Sequence, residues 1–504
     1  MRIDIDKIID QLKYNPKDPL LFNSGFFLFF IVVVLLFYQF IHRKKLTRVV
    51  FFTLFSLYFF YKACGVFVLL IILSAVIDFS LSNWIYKTKK PFAKAILLIF
   101  SITINLGMLF YFKYTNLFIG IINDLQLGQV NPLHLILPIG ISFYTFENLS
   151  YTIDVYRGHF KPITSFLDYL FFLSFFPKLV MGPIVRASDF IPQIRQDILI
   201  TETDIGRGLY LILGGLIKKV VISDYINANF VQYIFDDPAR YSGVECLLAV
   251  YGYAMVIYCD FSGYSDMAIG MAQWMGFKIP MNFDVPYQSS NITDFWRRWH
   301  ISLSSWLKDY LYVSLGGNRK GKIRIYINLM ITMLLGGLWH GANLKFAFWG
   351  GMHGVALAFD KIMKVLREKI TGRSKKRPWI NSHIGLINTI WKVLGVFITF
   401  HFVCYCWIFF KSDSFEKANI VVHQILHNFN TSTILTILSA YQSVFIIMGA
   451  GYLIHFTPKS VLKWIENIIT DMPVIGRVAI TFLVIWLVIQ VNQSEQIMPI
   501  YFQF

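Results

Sequence analysis

The chain has 504 residues, 56% of them hydrophobic and only 15% charged, where a soluble domain carries about 25% charge. That balance excludes an ordinary water-soluble enzyme and points to a lipid solvent. The net charge is +17, but the basic residues sit between apolar runs and form no soluble basic face with interleaved aromatics, which argues against nucleic-acid binding.

Residues 1–20 balance Arg2, Lys7, Lys13 and Lys17 against Asp4, Asp6, Asp10 and Asp18. No positive start leads directly into an apolar run with a small-residue cleavage site, so the first run reads as a retained span rather than a cleaved signal. Candidate membrane segments follow at 21–41, 47–61, 64–86, 95–122, 135–155, 166–184, 206–235, 243–275, 325–341, 344–365, 384–410, 433–456 and 475–492. A helix needs about 20 apolar residues to cross the hydrocarbon. Several of these runs are short or interrupted by polar residues, and the pattern predicts about eleven true spans. The reading is a neutral N-terminal segment over 1–20, outside the cell, followed by one transmembrane domain over 21–504.

Orientation follows from the loops. His42, Arg43, Lys44, Lys45 and Arg48 mark the first loop as cytoplasmic, and Lys87, Lys89, Lys90 and Lys94 mark a second. Residues 318–324 form a third cluster. The stretch from Lys361 to Arg377 holds eight Lys or Arg against Glu368. It reads as a topology anchor, or as a docking surface for an acidic donor such as coenzyme A or an acidic carrier protein. The cysteines Cys64, Cys246, Cys259, Cys404 and Cys406 form no CxxC pair and lie mostly in apolar runs, as buried free thiols do.

The stretch 276–324 is too polar to span. Pro280 and Pro286 precede an aromatic, basic helix expected over about 291–314 that lies in the interface or folds back into the protein. Residues 156–205 behave similarly around Pro162, Pro177, Pro183 and Pro192.

Ionisable groups at membrane depth are costly, so each is a functional candidate. His340 ends an apolar run in Gly336-Gly337-Leu338-Trp339-His340-Gly341-Ala342, just before Asn343. Flanking glycines permit close approach, and an imidazole suits a general base for a hydroxyl attacking a thioester. The alternative is a packing histidine bonded to a backbone carbonyl. His300 lies in Asp294-Phe295-Trp296-Arg297-Arg298-Trp299-His300-Ile301-Ser302-Leu303-Ser304. On one helix Asp294 pairs with Arg297 or Arg298, Trp296 and His300 share a face, and Ser304 comes one turn later. The segment is either an interfacial helix with snorkelling arginines or a second catalytic or donor-positioning element. His353, among Gly350, Gly351 and Gly354, reads as support at a close helix contact. Asp260 and Asp266 are expected to pair with Arg297 or Arg298. Glu147, Asp154 and Arg157 read as a gate or an ion pair, and Pro183 with Arg186 as a broken-helix cavity lining. A P-loop, an HExxH zinc motif and a GxSxG elbow are all missing, and no metal ligand set is read.

Six strings together carry a resemblance: LPIGISFYTFENLSYTIDVYRG (137–158), FFPKLVMGPIVRASDFIPQI (175–194), YCDFSGYSDMAIGMAQWMGFKIPMNFDVPY (258–287), DFWRRWHISLSSWLKDYLYVSLGGNRKG (294–321), GGLWHGANLKFAFWGGMHG (336–354) and IYFQF (500–504). They resemble the membrane-bound O-acyltransferase (MBOAT) family, most like its alginate O-acetylation branch, over nearly the whole chain. The resemblance implies an all-α helical ring, thin in the middle, with re-entrant segments and a tunnel joining the two faces. His340 matches the family's central histidine and His300 the upstream polar position. Asp294, Trp296, Arg297, Arg298, Trp299, Ser304, Trp339, Asn343 and His353 are the lining candidates around them. It implies no bound cofactor, an acyl thioester donor such as acetyl-CoA or an acyl-carrier protein at the cytoplasmic face, and an extracytoplasmic polysaccharide O-acetyltransferase as partner. Membrane lipid surrounds the chain, at the bacterial inner membrane. D-alanyl transfer to teichoic acid is the neighbouring chemistry. A transporter or flippase for a lipid-linked sugar is the competing class, since buried ion pairs and broken helices suit it too.

Overall fold

The computed structural model describes residues 10–16, 19–371, 382–491 and 499–500. Most of the charge-balanced N-terminal stretch, the far part of the basic stretch after Thr371 and the last four residues of IYFQF lie outside the described residues. Among the described residues every regular element is helical. That is the solution a hydrocarbon solvent allows an open chain, because a helix satisfies its own backbone.

The chain opens with α1 (Gly25–Ile41), capped by the Ser24 side chain, which accepts the Phe27 N–H at 3.2 Å. Helices α2 (Lys45–Cys64) and α3 (Val68–Lys87) follow, joined by a single turn that begins at Gly65 in a left-handed conformation, φ 61°. As a straight rod this run would hold Phe52 and Phe79 about 40 Å apart. Instead Phe52 packs on Phe171, with ring centroids 6.3 Å apart, while Phe79 packs on Tyr169 at 6.1 Å. The run is therefore a hairpin, folded at Gly65.

Helix α4 (Pro91–Asp124) starts with proline at a position where its missing N–H is harmless. With α3 and α5 (Ile141–Arg157) it encloses a polar seam. Asp78 accepts from Ser101 at 2.5 Å, Asn105 at 2.7 Å and Thr152 at 3.2 Å, and Asn148 donates to Ser74 at 2.7 Å. Next come α6 (Glu202–Leu216), continued by wider π-helical turns over Ile217–Asp224, and its antiparallel partner α7 (Gly243–Trp274). Two short helices, α8 (Ile292–Arg298) and α9 (Ile301–Trp306), lead through another π turn to α10 (Lys322–His340), α11 (Leu344–Thr371) and α12 (Ser382–Lys411). The chain ends with a bent pair, an amphipathic helix over Lys459–Asp471 and α13 (Val474–Val491).

Six of the described helical stretches are long and apolar enough to cross a membrane, or seven if the bent pair Thr431–Ala440 and Gln442–Phe456, at 94°, forms one span. The α2–α3 hairpin counts as one of the six. Sequence pattern pointed to about eleven. Part of the difference is that 21–41 becomes the 17-residue α1 and that 47–61 and 64–86 fall in one counted stretch; another part lies in runs whose apolar residues face protein. The 135–155 run becomes the 17-residue α5, buried along most of its length. The 166–184 run breaks into Phe166–Ser174 and a single turn around Pro177. The 206–235 run passes into the π turns.

The buried carboxylates find partners other than those expected. Asp260 pairs with Lys219 at 2.6 Å, and Asp266 with Lys218 at 2.6 Å, not with Arg297 or Arg298. The antiparallel packing of α6 against α7 brings these lysines opposite the aspartates inside the protein. Lys219 also holds Asp224 at 2.7 Å, and Asp260 accepts the Ile500 N–H at 2.9 Å, which ties the chain's end into the interior. Glu147 pairs with Lys178 in full burial. Tyr310 donates to Asp154 at 2.7 Å, and Arg157 reaches the Asp309 carbonyl and the Ser314 hydroxyl. All five cysteines are free and buried.

The contact that positions the rest is between α10 and α11. Gly337 lies against the Phe346 carbonyl and Gly350 against the Met333 carbonyl, with no room for a Cβ at either point. Small residues here let the two backbones touch, which is how membrane helices gain packing without a hydrophobic driving force. Gly337→Val forces these backbones apart and is expected to cost about 1–3 kcal/mol, read as a lowered melting temperature of the detergent-solubilised protein. Gly449→Ala, at a position with open space around it, leaves the melting temperature unchanged.

Candidate active site

His340 closes α10 and His300 sits in the break between α8 and α9. Both imidazoles are buried, at 3% and 0% exposure. The indole of Trp339 lies between them, its centroid 5.8 Å from His300 and 5.1 Å from His340. The two histidines thus belong to one cluster although 40 residues separate them in the chain.

The helix expected over 291–314 does not run through. Trp299 is extended, with φ −102° and ψ 127°, and His300 is left-handed, with φ 42°. A non-glycine residue in that region costs energy that its surroundings must hold in place. They do so through the 282–284 segment. The Asp284 N–H donates to the Arg298 carbonyl and the Ile301 N–H to the Asn282 carbonyl, both at 2.9 Å. These bonds replace those the broken helix loses. The Asn282 side chain completes the anchor: its Oδ1 accepts from Ser302 N at 3.2 Å, Ser302 Oγ at 2.9 Å and His300 Nδ1 at 3.1 Å. The Ser302 N–H identifies the oxygen, so the His300 proton sits on Nδ1 and Nε2 is the acceptor of the neutral ring.

The break redistributes the other predicted residues. Trp296 turns to His353 and donates its indole N–H to Nδ1 at 3.3 Å. Trp299 enters an aromatic wall with Trp407, 5.1 Å away, and Trp349 stands behind that at 5.7 Å. His353 accepts the Trp296 N–H and packs against Trp349, with ring centroids 4.8 Å apart. Asp294 pairs with Arg298 at 3.0 Å, the i,i+4 partner expected. Ser304 donates to the Trp299 carbonyl at 3.2 Å. Asn343 is exposed in the turn after His340, where its side chain accepts the Lys345 N–H, and it lines neither cavity described below.

Two cavities approach this cluster from the two ends of α10, which are about 27 Å apart at 1.5 Å per residue. At the Lys322 end a cavity of about 670 Å³ is lined by Trp296, Arg297, Ile301, Ser304, Leu307, Lys308, Tyr312, Met333, Asp360, Lys361 and Lys364, among others. Its cations outnumber its one carboxylate, and it reaches inward to Met333, two turns from His340. At the other end a slot of about 40 Å³ is lined by His340, Trp339, Lys113 and residues 137–143, with room for a few water molecules. Aromatic rings stand between the two: Phe146 stacks on Trp306 at 3.9 Å and lies 5.6 Å from Trp339. Here the passage implied by the resemblance is divided by that layer.

Sequence reasoning passed over three residues of this arrangement. Asn282 looks like any loop amide, and no local signal marks it. Lys308 hides in the segment read as one interfacial helix. Lys113 had a usable signal, as a lone cation within the apolar 95–122 run. Asn282→Leu removes the shared acceptor of three donors and is expected to cost about 1–3 kcal/mol. Thermal unfolding in detergent checks this.

Comparison with known proteins agrees with this architecture. Residues 133–407 match the model of the MBOAT, membrane-bound O-acyltransferase family. The chain is 35% identical to the peptidoglycan O-acetyltransferase of Helicobacter pylori over 79% of this chain and 78% of that protein. It is 40% identical to the "Probable alginate O-acetylase AlgI" of Pseudomonas aeruginosa over 64% of this chain and 58% of that one. It is 30% identical to the teichoic acid D-alanyltransferase of Bacillus subtilis over 56% of this chain and 71% of that one. With a family match across more than half its length, on a polytopic helical frame, the chain belongs to the membrane-bound O-acyltransferases and is an O-acyltransferase of the membrane.

Proposed function

We propose that this enzyme carries an acyl group, acetyl, from a cytoplasmic thioester to a hydroxyl on the far side of the membrane, for O-acetylation of an extracytoplasmic polysaccharide. The observation that carries the reading is the placement of His340 at a slot on one end of α10 while a larger cavity with a cationic mouth opens at the other end. The peptidoglycan and alginate relatives support acetyl as the group and a surface glycan as its destination.

The chemistry follows from the positions. Arg297, Lys308, Lys361 and Lys364 attract the phosphates of a donor such as acetyl-CoA, or the acidic surface of a carrier protein. Positive loops face the cytoplasm, so this mouth is the donor side. The thioester arm enters toward Met333, Ile301 and Ser304, and the acceptor hydroxyl enters at the His340 slot. His340 takes the hydroxyl proton as oxygen attacks the thioester carbon; His300 and Trp339 shape the site between them. The thioester makes the transfer roughly downhill, so the protein's part is orientation and a protected meeting place. The slot is small, which suits a slender hydroxyl-bearing group and favours a partner acetyltransferase as the immediate acceptor. The loop charges support an N-terminus outside the cell, and the bacterial relatives support an inner-membrane setting.

His340→Ala is expected to reduce ester-linked acetate in the envelope polysaccharide to the level of cells lacking the chain, with the variant still inserted and abundant on an immunoblot of membranes. Acetate retained at the normal level overturns the assignment. The teichoic acid relative supports a second reading, D-alanyl transfer; the same mild-base release distinguishes them, because it then yields alanine in place of acetate. Charge reversal at Lys308, Lys361 and Lys364 together raises the apparent KM for acetyl-CoA about tenfold or more at low salt, and the difference from wild type shrinks as ionic strength rises.

A further inference from the structure

Lys113 comes from the middle of α4 and reaches the end of α10. Its Nζ donates to the Trp339 carbonyl at 2.6 Å and the His340 carbonyl at 3.2 Å. The neighbouring Tyr114 hydroxyl donates to the Leu338 carbonyl at 2.9 Å. The last carbonyls of a helix have no partner within it, and a cation there is favoured by the helix dipole. Two adjacent side chains of α4 thus cap the helix that carries His340.

Capping accounts for two of the three ammonium donors. No carboxylate accompanies the charge: among the described residues Lys113 pairs with no Asp or Glu, and what faces it is the helix end and the Trp339 ring, its centroid 6.0 Å from Nζ. Three other lysines drawn into the interior pair with carboxylates: Lys178 with Glu147, Lys218 with Asp266, and Lys219 with Asp224 and Asp260. A cation inside a membrane protein is expensive without an opposite charge. Lys113 also lines the slot that His340 lines, so its third donor and its charge border the space where acyl transfer takes place.

We propose that Lys113 is a further catalytic residue, supplying the positive charge and the donor that stabilise the anion formed in the transfer. This rests on the reading of His340 as the base. As the acceptor oxygen bonds to the thioester carbon, the carbonyl electron pair moves onto its oxygen. His340 holds the hydroxyl proton. The oxyanion, held by the Lys113 N–H, then collapses; the carbon–sulfur bond breaks, its pair leaves on sulfur, and the proton from His340 goes to the thiolate. Lys113 keeps its own proton throughout, and no other reactant is consumed. A fixed donor aimed at developing charge acts where water is excluded and needs no reorganisation during the reaction.

The test separates charge from capping. Lys113→Gln keeps an N–H₂ group able to cap carbonyls but removes the charge; Lys113→Arg keeps both; Lys113→Met removes both. Membrane vesicles containing each full-length variant are supplied with radiolabelled acetyl-CoA, and incorporation into base-labile ester is followed against donor concentration. Lys113→Gln is expected to lower the maximal rate per inserted protein about 100-fold, within the range for loss of one oxyanion donor, with the apparent KM for acetyl-CoA unchanged and the melting temperature close to wild type. Lys113→Arg is expected to recover most of the rate. Gln at the wild-type rate, or Gln and Arg impaired equally in an intact fold, overturns the catalytic role and leaves a cap. His340→Ala, run alongside, keeps the two readings apart: its loss of activity with Gln fully active sinks only the lysine proposal, whereas full activity in His340→Ala sinks the underlying mechanism.

Discussion

Backbone that leaves a helix inside a membrane protein must find its hydrogen bonds within the protein, and the segment around His300 meets that demand by pairing with residues 282–284. Asn282 is the centre of the arrangement. Its backbone carbonyl takes the Ile301 N–H, and its side-chain oxygen gathers Ser302 and His300. The result is a left-handed residue held still at membrane depth, its ring oriented by a bond to one nitrogen. Without that anchor the aromatic, basic segment has a simpler choice, a continuous helix at the interface, and His300 then leaves the cluster.

The second histidine is positioned by different means. His340 sits on a regular helix whose end is set by contacts from both sides. Gly337 and Gly350 bring α11 against α10, and Lys113 and Tyr114 of α4 bind the last carbonyls. Each imidazole is thus fixed by a structure that serves backbone satisfaction first. Trp339 joins them, touching His300, His340, Phe143 and Phe146. Preorganisation here is the by-product of keeping polar groups bonded in a low-dielectric interior.

The same constraint organises the faces. Arg48 donates to the Ile194 and Gln196 carbonyls, Lys45 pairs with Asp197, and Arg186 pairs with Asp309. Arg157 ties Ser314 to this side, beside the cationic mouth that Lys308 and Lys361 line. The cationic mouth lies at one end of α10, and the slot of His340 opens at the other.

The amino-acid sequence by itself determined the solvent and the helical class, because low charge and apolar run length are local properties of the chain, and its long ordered motifs identified the family. Helical spacing narrowed the partner of Asp294 to Arg297 or Arg298, and the structure selects Arg298. What only the tertiary structure decided depends on which elements meet. The α2–α3 hairpin turns on contacts of Phe52 and Phe79 with one distant helix. Asp260 and Asp266 choose Lys219 and Lys218 because α6 lies against α7. Runs such as 135–155 are apolar through burial in protein, and periodicity cannot tell a protein neighbour from a lipid one. The break at His300 is the sharpest case: residues 291–314 carry a helical pattern, and the 282–284 loop overrides it by offering better partners for the backbone.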